Sequence, residues 1–202
     1  ELLADTGDGH HVVSTVFMEC GSMYRAEGPV AEAPIGETEF VNGIAAMSAS
    51  GQYGPARACA GIVGFADLSL GVNVGPILDA HMALSRRFRG IRHAAGWDAS
   101  DAVRNSHTNP PRHLLGEDTF RQGVAELEKR NLSFDAWLYH LQIPELVELA
   151  QDFPSLTIVA DHFCGPLGIG PYVGQQQAVY AQWQIDFKAL AACPNVYAKL
   201  GG

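Results

Sequence analysis

Short apolar runs alternate with amphipathic segments along the chain from Val12 to Leu200. Runs rich in β-branched residues are typical of buried strands, and apolar residues three or four positions apart are typical of helices. Strands that alternate with helices form a parallel sheet covered by helices, so the pattern predicts an α/β fold. Six parallel strands are predicted, near residues 12–20, 58–66, 88–94, 133–140, 156–162 and 195–200.

Helices are predicted between these strands, each with one apolar face that packs against the sheet. Asp118 is the predicted N-cap of the helix that runs to Lys129. The residues predicted to face inward are Phe40, Ile44 and Met47 in residues 37–50, Ile77, Ala80 and Leu84 in the helix from Gly75, and Phe120, Val124 and Leu127 in the helix to Lys129.

The segment from Ser133 to Pro166 contains two of the predicted strands, and each of them finishes in a histidine. Pro144 opens the helix between them. Strands joined in this way lie parallel, so His140 and His162 are expected at the same, carboxyl edge of the sheet. Because α/β proteins keep their active sites at that edge, the two side chains are predicted to point into one pocket.

The composition narrows the choice of partners. Of 202 residues, 47% are hydrophobic and 17% are charged, which suits the core of a single domain covering residues 1–202. The net charge of −9 argues against nucleic acid or an anionic membrane surface as a partner. No apolar run is long enough to span a bilayer and no signal peptide opens the chain, so we expect a soluble, cytoplasmic protein. A homo-oligomer is compatible with this composition.

Four phrases of the sequence carry a resemblance to a known family. RGIRHAAGWD, LSFDAWLYH, IVADHFCGPLGIGPY and CPNVYAKLGG resemble the amidohydrolase-related family of metal-dependent hydrolases. The branch they resemble contains sugar lactonases and the 2-pyrone-4,6-dicarboxylate lactonase. The most specific part is the pattern formed by Asp161, His162 and Pro166.

The resemblance implies a (β/α)₈ TIM barrel, of which this chain would hold the second to the seventh strand. The family's first strand carries a His-x-His pair and its last strand carries an aspartate, and neither is found here. His10 and His11 are adjacent and precede a strand, where the family's pair ends one. We therefore expect an incomplete barrel that lacks the first and last strands and is nearly inactive by itself.

The resemblance implies roles for two histidines, and the types and positions of other residues on and after the strands complete a set of candidate site residues. His162 matches the family's sixth-strand histidine, and His140 stands where many members place a metal ligand. Both are therefore predicted to bind a divalent metal, with zinc as the expected ion. Members of the family that work without metal also exist. The predicted catalytic residues are His162, Arg92, His93 and Glu19, and the predicted substrate-binding residues are Tyr24, Asp135, Trp137 and Tyr139. The structural alternatives are histidines that merely end strands, an arginine in an ion pair at the edge of the core, and aromatic residues that only pack.

The activity that the resemblance implies is hydrolysis of a small-molecule substrate, a lactone or a related cyclic ester, assisted by the metal. Two other functions stay open at this point. One is decarboxylation on the same scaffold, and the other is a non-catalytic, degenerate barrel.

Overall fold

The computed structural model describes residues 2–201 and places six strands in one sheet, in the order of the sequence. The strands are β1 (Ser14–Met18), β2 (Arg57–Gly64), β3 (Phe88–Ala94), β4 (Ser133–Trp137), β5 (Ile158–Ala160) and β6 (Val196–Ala198). The register is parallel between β1 and β2, β2 and β3, β4 and β5, and β5 and β6. The prediction of six parallel strands is confirmed, and most of the observed strands are shorter than predicted.

One helix lies between each strand and the next. The helices are α1 (Leu2–Gly7), α2 (Ile35–Ala49), α3 (Gly75–Leu84), α4 (Asp118–Lys129), α5 (Ile143–Asp152) and α6 (Gln176–Leu190), with α1 preceding the first strand. Glu117 is the N-cap of α4, so the prediction of Asp118 as the cap was wrong by one residue. Within residues 2–201, none of these helices combines the length and apolar character that crossing a bilayer requires.

The chain divides into two compact units, which we describe separately. Unit 1 contains Glu1–Ala66 and Gly75–Ile91, and unit 2 contains Asp67–Val74 and Arg92–Gly202. Unit 1 therefore holds β1, β2 and the start of β3, and unit 2 holds the end of β3 with β4, β5 and β6. The single domain over residues 1–202 stays a prediction, and its outermost residues, Glu1 and Gly202, lie outside the described part.

In unit 1, helix α2 buries a different face from the one predicted. Phe40 and Met47 are 44% and 51% exposed, whereas Thr38, Val41 and Ser48 on the same helix are buried. The buried stripe includes polar residues, among them Ser48, whose hydroxyl donates to Ala56 O and accepts from Ala58 N. The prediction was wrong because hydrophobicity alone cannot identify a polar residue whose hydrogen bonds are satisfied in the core.

In unit 2, the predicted inward face of α4 is confirmed, since Phe120, Val124 and Leu127 are all fully buried. The Phe120 ring meets the edge of Phe134 in β4, with centroids 6.0 Å apart. This packing fixes β4 against its helix and leaves the carboxyl end of the strand for polar side chains.

Candidate active site

Four charged side chains of unit 2 meet, two from within β3 and β4 and two that directly follow β5 and β6. Lys199 Nζ donates to Asp135 Oδ1 at 3.2 Å and to Asp161 Oδ1 at 2.5 Å. Arg92 Nη1 lies 3.7 Å from the other oxygen of Asp161. Cations and carboxylates thus alternate in the order Arg92, Asp161, Lys199, Asp135, and we call these four residues the charge cluster.

The carboxylates of the charge cluster are buried and its cations reach solvent. The side chains of Asp161 and Asp135 are 0% and 4% exposed, against 19% for Arg92 and 28% for Lys199. Burial raises the pKa of the Asp135 carboxyl, and the neighbouring Lys199 ammonium acts in the opposite direction. Buried carboxylates persist in proteins when they are paired, so the two aspartates depend on the two cations.

Sequence reasoning missed Lys199. The signal was nevertheless present, because Lys199 directly follows the short strand β6 just as His162 closely follows β5. A charged residue immediately after a strand carries the same weight as a histidine there, since both are delivered to the carboxyl edge of the sheet.

His162 lies in a left-handed turn beyond the end of its strand. Strand β5 ends at Ala160, and His162, Phe163 and Cys164 have φ angles of 50°, 53° and 59°. This conformation is unfavourable for residues other than glycine, so the surroundings must hold it. Trp183 Nε1 on α6 donates to Phe163 O at 2.8 Å, and Gly165 N donates to His162 O at 3.1 Å. Backbone strain of this kind is typical of functional sites.

The hydrogen bond of His162 determines which of its nitrogens is free. His162 Nδ1 lies 2.8 Å from Gly201 O. A carbonyl oxygen can only accept, so Nδ1 carries the proton and donates it. In the neutral ring Nε2 then keeps its lone pair, which suits a proton acceptor or a metal ligand.

His140 has the opposite arrangement. It is buried at the start of the short helix His140–Gln142 after β4, and Leu167 N donates to its Nδ1 at 3.5 Å. Burial lowers the pKa of His140, so the ring is neutral at pH 7 and its proton lies on Nε2. His140 N also donates to Gly165 O at 3.4 Å, which ties this histidine to the turn that carries His162. His140 therefore suits a hydrogen-bond donor.

His93 is buried in unit 2. Its Nδ1 donates to Ala94 O at 3.1 Å, its Nε2 lies 3.5 Å from Asp67 Oδ1, and its ring meets the edge of Phe120 on α4 at 5.2 Å. Neighbouring residues on a strand point to opposite faces, so His93 packs under α4 while Arg92 joins the charge cluster. A catalytic role for His93 stays a prediction.

Two of the predicted substrate-binding residues form an aromatic pair. The half-buried rings of Trp137 and Tyr139 meet edge to face, with centroids 5.3 Å apart. The Tyr139 hydroxyl donates to Arg104 O in the long loop after β3, and burial raises the pKa of Tyr139. The backbone of Gly96 packs closely against this aromatic pair, since a Cβ atom at Gly96 would be 2.6 Å from Trp137 Cζ3.

We expect Gly96→Ala to move the Trp137 ring, because a methyl group at 2.6 Å from a ring carbon overlaps it. If Trp137 contacts substrate, KM should change several-fold and tryptophan fluorescence should shift. Gly116→Ala is the matched control, since nothing lies within 4 Å of the added atom. Equal KM values for the two variants would remove Trp137 from the site.

A second polar pair, also missed from sequence, lies beside His140. The Tyr172 hydroxyl donates to Asp98 Oδ2 at 2.6 Å. The rings of Tyr172 and His140 pack edge to face, with their centroids 5.5 Å apart. Burial and this carboxylate raise the pKa of Tyr172 to about 12. Nothing near Tyr172 in sequence indicates this contact, because Asp98 is 74 positions away.

Glu19 and Tyr24, the remaining predicted site residues, belong to unit 1. Glu19 is buried directly after β1, and its backbone N donates to Val63 O at 2.9 Å. Burial is the main cause that raises the pKa of Tyr24, and the negative charges of Glu37 and Glu19 add to it. The Glu37 carboxylate accepts from Cys20 N and Ser22 N and so holds the loop after β1. Catalytic and binding roles for Glu19 and Tyr24 stay predictions.

The predicted metal ligands do not assemble into a metal site by themselves. Across the part of the chain that the structure describes, no three His, Cys, Asp or Glu side chains are grouped so as to hold a metal ion. Zinc sites usually have about four ligands, three or more of them from protein. His162 Nε2 is a suitable donor, whereas His140 would have to give up its bond with Leu167 N.

Comparison with known proteins gives a family and two curated relatives. The family model described as "Amidohydrolase" matches residues 55–202. The chain is 36% identical over 169 residues to "Uncharacterized protein y4mH" of Sinorhizobium fredii, covering 84% of this chain and 50% of that protein. It is 29% identical over 144 residues to the L-fucono-1,5-lactonase of Burkholderia ambifaria, covering 71% of this chain and 42% of that enzyme. The chain thus spans about half the length of the curated relatives it matches.

A solved structure shares the fold. An amidohydrolase from Burkholderia multivorans, crystallised with bound Zn, superposes with a TM-score of 0.62 at 21% identity, over 95% of this chain and 70% of that one. Together with the parallel strands, this likeness confirms the predicted α/β class with an incomplete TIM barrel. The numbering of the strands as second to seventh stays a prediction.

Proposed function

This chain belongs to the amidohydrolase family of hydrolases, and from that premise we propose that the protein opens a lactone, a cyclic ester, to the hydroxy acid. The observation that carries the proposal is the charge cluster, whose Asp161 is the sequence neighbour of His162. The arrangement offers the Arg92 cation to a carbonyl oxygen, and it offers the lone pair of His162 Nε2 to a proton.

The chain's own residues can be given roles in this reaction. His162 Nε2 accepts a proton from water while the water oxygen bonds to the carbonyl carbon. Arg92 offers its fork of N–H donors to the carbonyl oxygen as negative charge develops there. The ring C–O bond then breaks, and the proton held by His162 passes to the ring oxygen. The products are one carboxylic acid and one alcohol on the same molecule.

We propose a neutral sugar lactone as the substrate class. The charge cluster contains two cations and two carboxylates, so its cations are already balanced and offer little to a substrate that carries carboxylates of its own. The aromatic pair of Trp137 and Tyr139 is suited to the apolar face of a sugar ring. The similarity to an L-fucono-1,5-lactonase supports the same choice over a dicarboxylate lactone.

The proposal includes a divalent metal, zinc, as a cofactor of the protein. The ligand that this chain would supply is His162 Nε2. A bound metal would polarise the substrate carbonyl. No step above depends on it, because the described side chains do not form a complete ligand set.

The test is a turnover assay on a panel of lactones with the full-length protein, with and without added zinc. We expect acid release from neutral sugar lactones with kcat/KM on the order of 10⁴ M⁻¹s⁻¹ or more, and at least about tenfold less from a dicarboxylate lactone. Spontaneous hydrolysis is subtracted with an enzyme-free control. Release of carbon dioxide from carboxylic acids without lactone opening would replace the proposal with a decarboxylase, and no turnover of either class would indicate a non-catalytic barrel.

A further inference from the structure

Lys199 contacts both carboxylates of the charge cluster. It comes directly after β6, and its backbone N donates to Ala160 O at 2.9 Å, at the end of the neighbouring strand β5. Its ammonium group bonds Asp135 and Asp161, which are 64 and 38 positions away in the sequence. Bonds to two buried carboxylates hold the ammonium in a defined position, so this cation is preorganised.

The ammonium group also retains capacity for a ligand. An ammonium has three N–H donors, and the two carboxylates engage two of them. The Lys199 side chain is 28% exposed while both carboxylates are nearly inaccessible, so solvent reaches the cluster from the side of its cations. Arg92 and Lys199 lie against different oxygens of Asp161, which brackets this carboxylate between two accessible cations.

We propose that Lys199 is a catalytic residue, which donates a hydrogen bond to the substrate carbonyl oxygen as it becomes an oxyanion. This inference rests on the proposed lactone hydrolysis and adds a second cation to Arg92. When water adds to the carbonyl carbon, the electron pair of the C=O bond moves onto oxygen, and the Lys199 ammonium stabilises that charge without transferring a proton. When the ring C–O bond breaks, the pair returns and the ammonium is unchanged.

The competing explanation is that Lys199 only neutralises the buried carboxylates. Exchange of Lys199 alone cannot separate the two explanations, because either one predicts lost activity, and an unpaired buried carboxylate destabilises the fold. The double variant Lys199→Met/Asp135→Asn separates them. It removes one cation and one carboxylate together and leaves Arg92 paired with Asp161, so charge balance is retained.

The experiment compares the full-length protein with Asp135→Asn, Lys199→Met, the double variant and the control Lys188→Met, which exchanges an exposed lysine on α6. We expect the double variant to unfold at nearly the same denaturant concentration as Asp135→Asn, yet to have a kcat lower by roughly 100-fold or more, with KM changed less than about threefold. Lys188→Met should match the unmodified protein in both respects.

Each other outcome contradicts the proposal. If the double variant recovers the kcat of Asp135→Asn, Lys199 acts through charge balance alone. If kcat and KM deteriorate together, Lys199 holds the site in shape or binds the ground state. If the unmodified protein hydrolyses no lactone, the proposed function fails and this inference falls with it, whereas hydrolysis that Lys199→Met leaves intact refutes only the role of Lys199.

Discussion

We expect His162→Ala to lower kcat for lactone hydrolysis at least ~100-fold in the full-length protein, because a positioned general base typically contributes on the order of 100- to 10,000-fold. The lone pair on Nε2 is available only because Gly201 O holds the proton on Nδ1. Alanine removes both nitrogens and leaves water without an acceptor. The measurement is kcat and KM for the best lactone of the panel.

Stability should change much less than activity in this variant. His162 is half-buried, so its truncation leaves no large cavity. Its φ of 50° is a conformation that histidine and asparagine tolerate better than alanine does, so His162→Asn separates loss of the ring from backbone strain. The control is His11→Ala, an exposed histidine of unit 1. If His162→Asn keeps the activity of the unmodified protein, His162 is not the proton acceptor.

The second large effect is expected from Asp161→Asn, which should lower the free energy of unfolding by about 3 kcal/mol and abolish most activity. Removal of one partner from a buried ion pair is costly because it leaves the other charges uncompensated. Asp161 is fully buried and contacts both Arg92 and Lys199, so the substitution affects two ion pairs at once. Urea unfolding of the full-length protein gives the change in free energy.

The matched control for Asp161 is Asp152→Asn. Asp152 also pairs with an arginine, Arg121, but its side chain is 63% exposed. Exposed pairs contribute about 0–1 kcal/mol, so this variant should unfold almost as the unmodified protein does. If the two variants lose similar free energies of unfolding, burial does not determine how much the ion pairs of the charge cluster stabilise the fold.

The strands and the inward face of helix α4 could be predicted from sequence because the relevant forces are local or repeat along the chain. The apolar run at Phe134 and the stripe of Phe120, Val124 and Leu127 were both sufficient to locate buried elements correctly. Their spacing reflects two geometries only, the alternation of a strand and the turn of a helix. Helix α2 shows the limit, since its buried Ser48 is polar and carries no hydrophobic signal.

The sequence also determined which residues reach the carboxyl edge of the sheet, because a residue that follows a strand is delivered there by the parallel topology. His140 and His162 were found in this way, while Lys199 was overlooked although it stands in an equivalent position.

Only the tertiary structure decided what these residues do to one another. Lys199 bonds Asp135, which is 64 positions away in the sequence. His162 and His140 differ in which ring nitrogen has a lone pair, because His162 faces Gly201 O and His140 faces Leu167 N. The left-handed turn at His162 persists because Trp183 on α6 holds Phe163 O. Hydrogen-bond partners, charge pairing and backbone strain depend on distances between remote parts of the chain, and no local pattern of residues contains those distances.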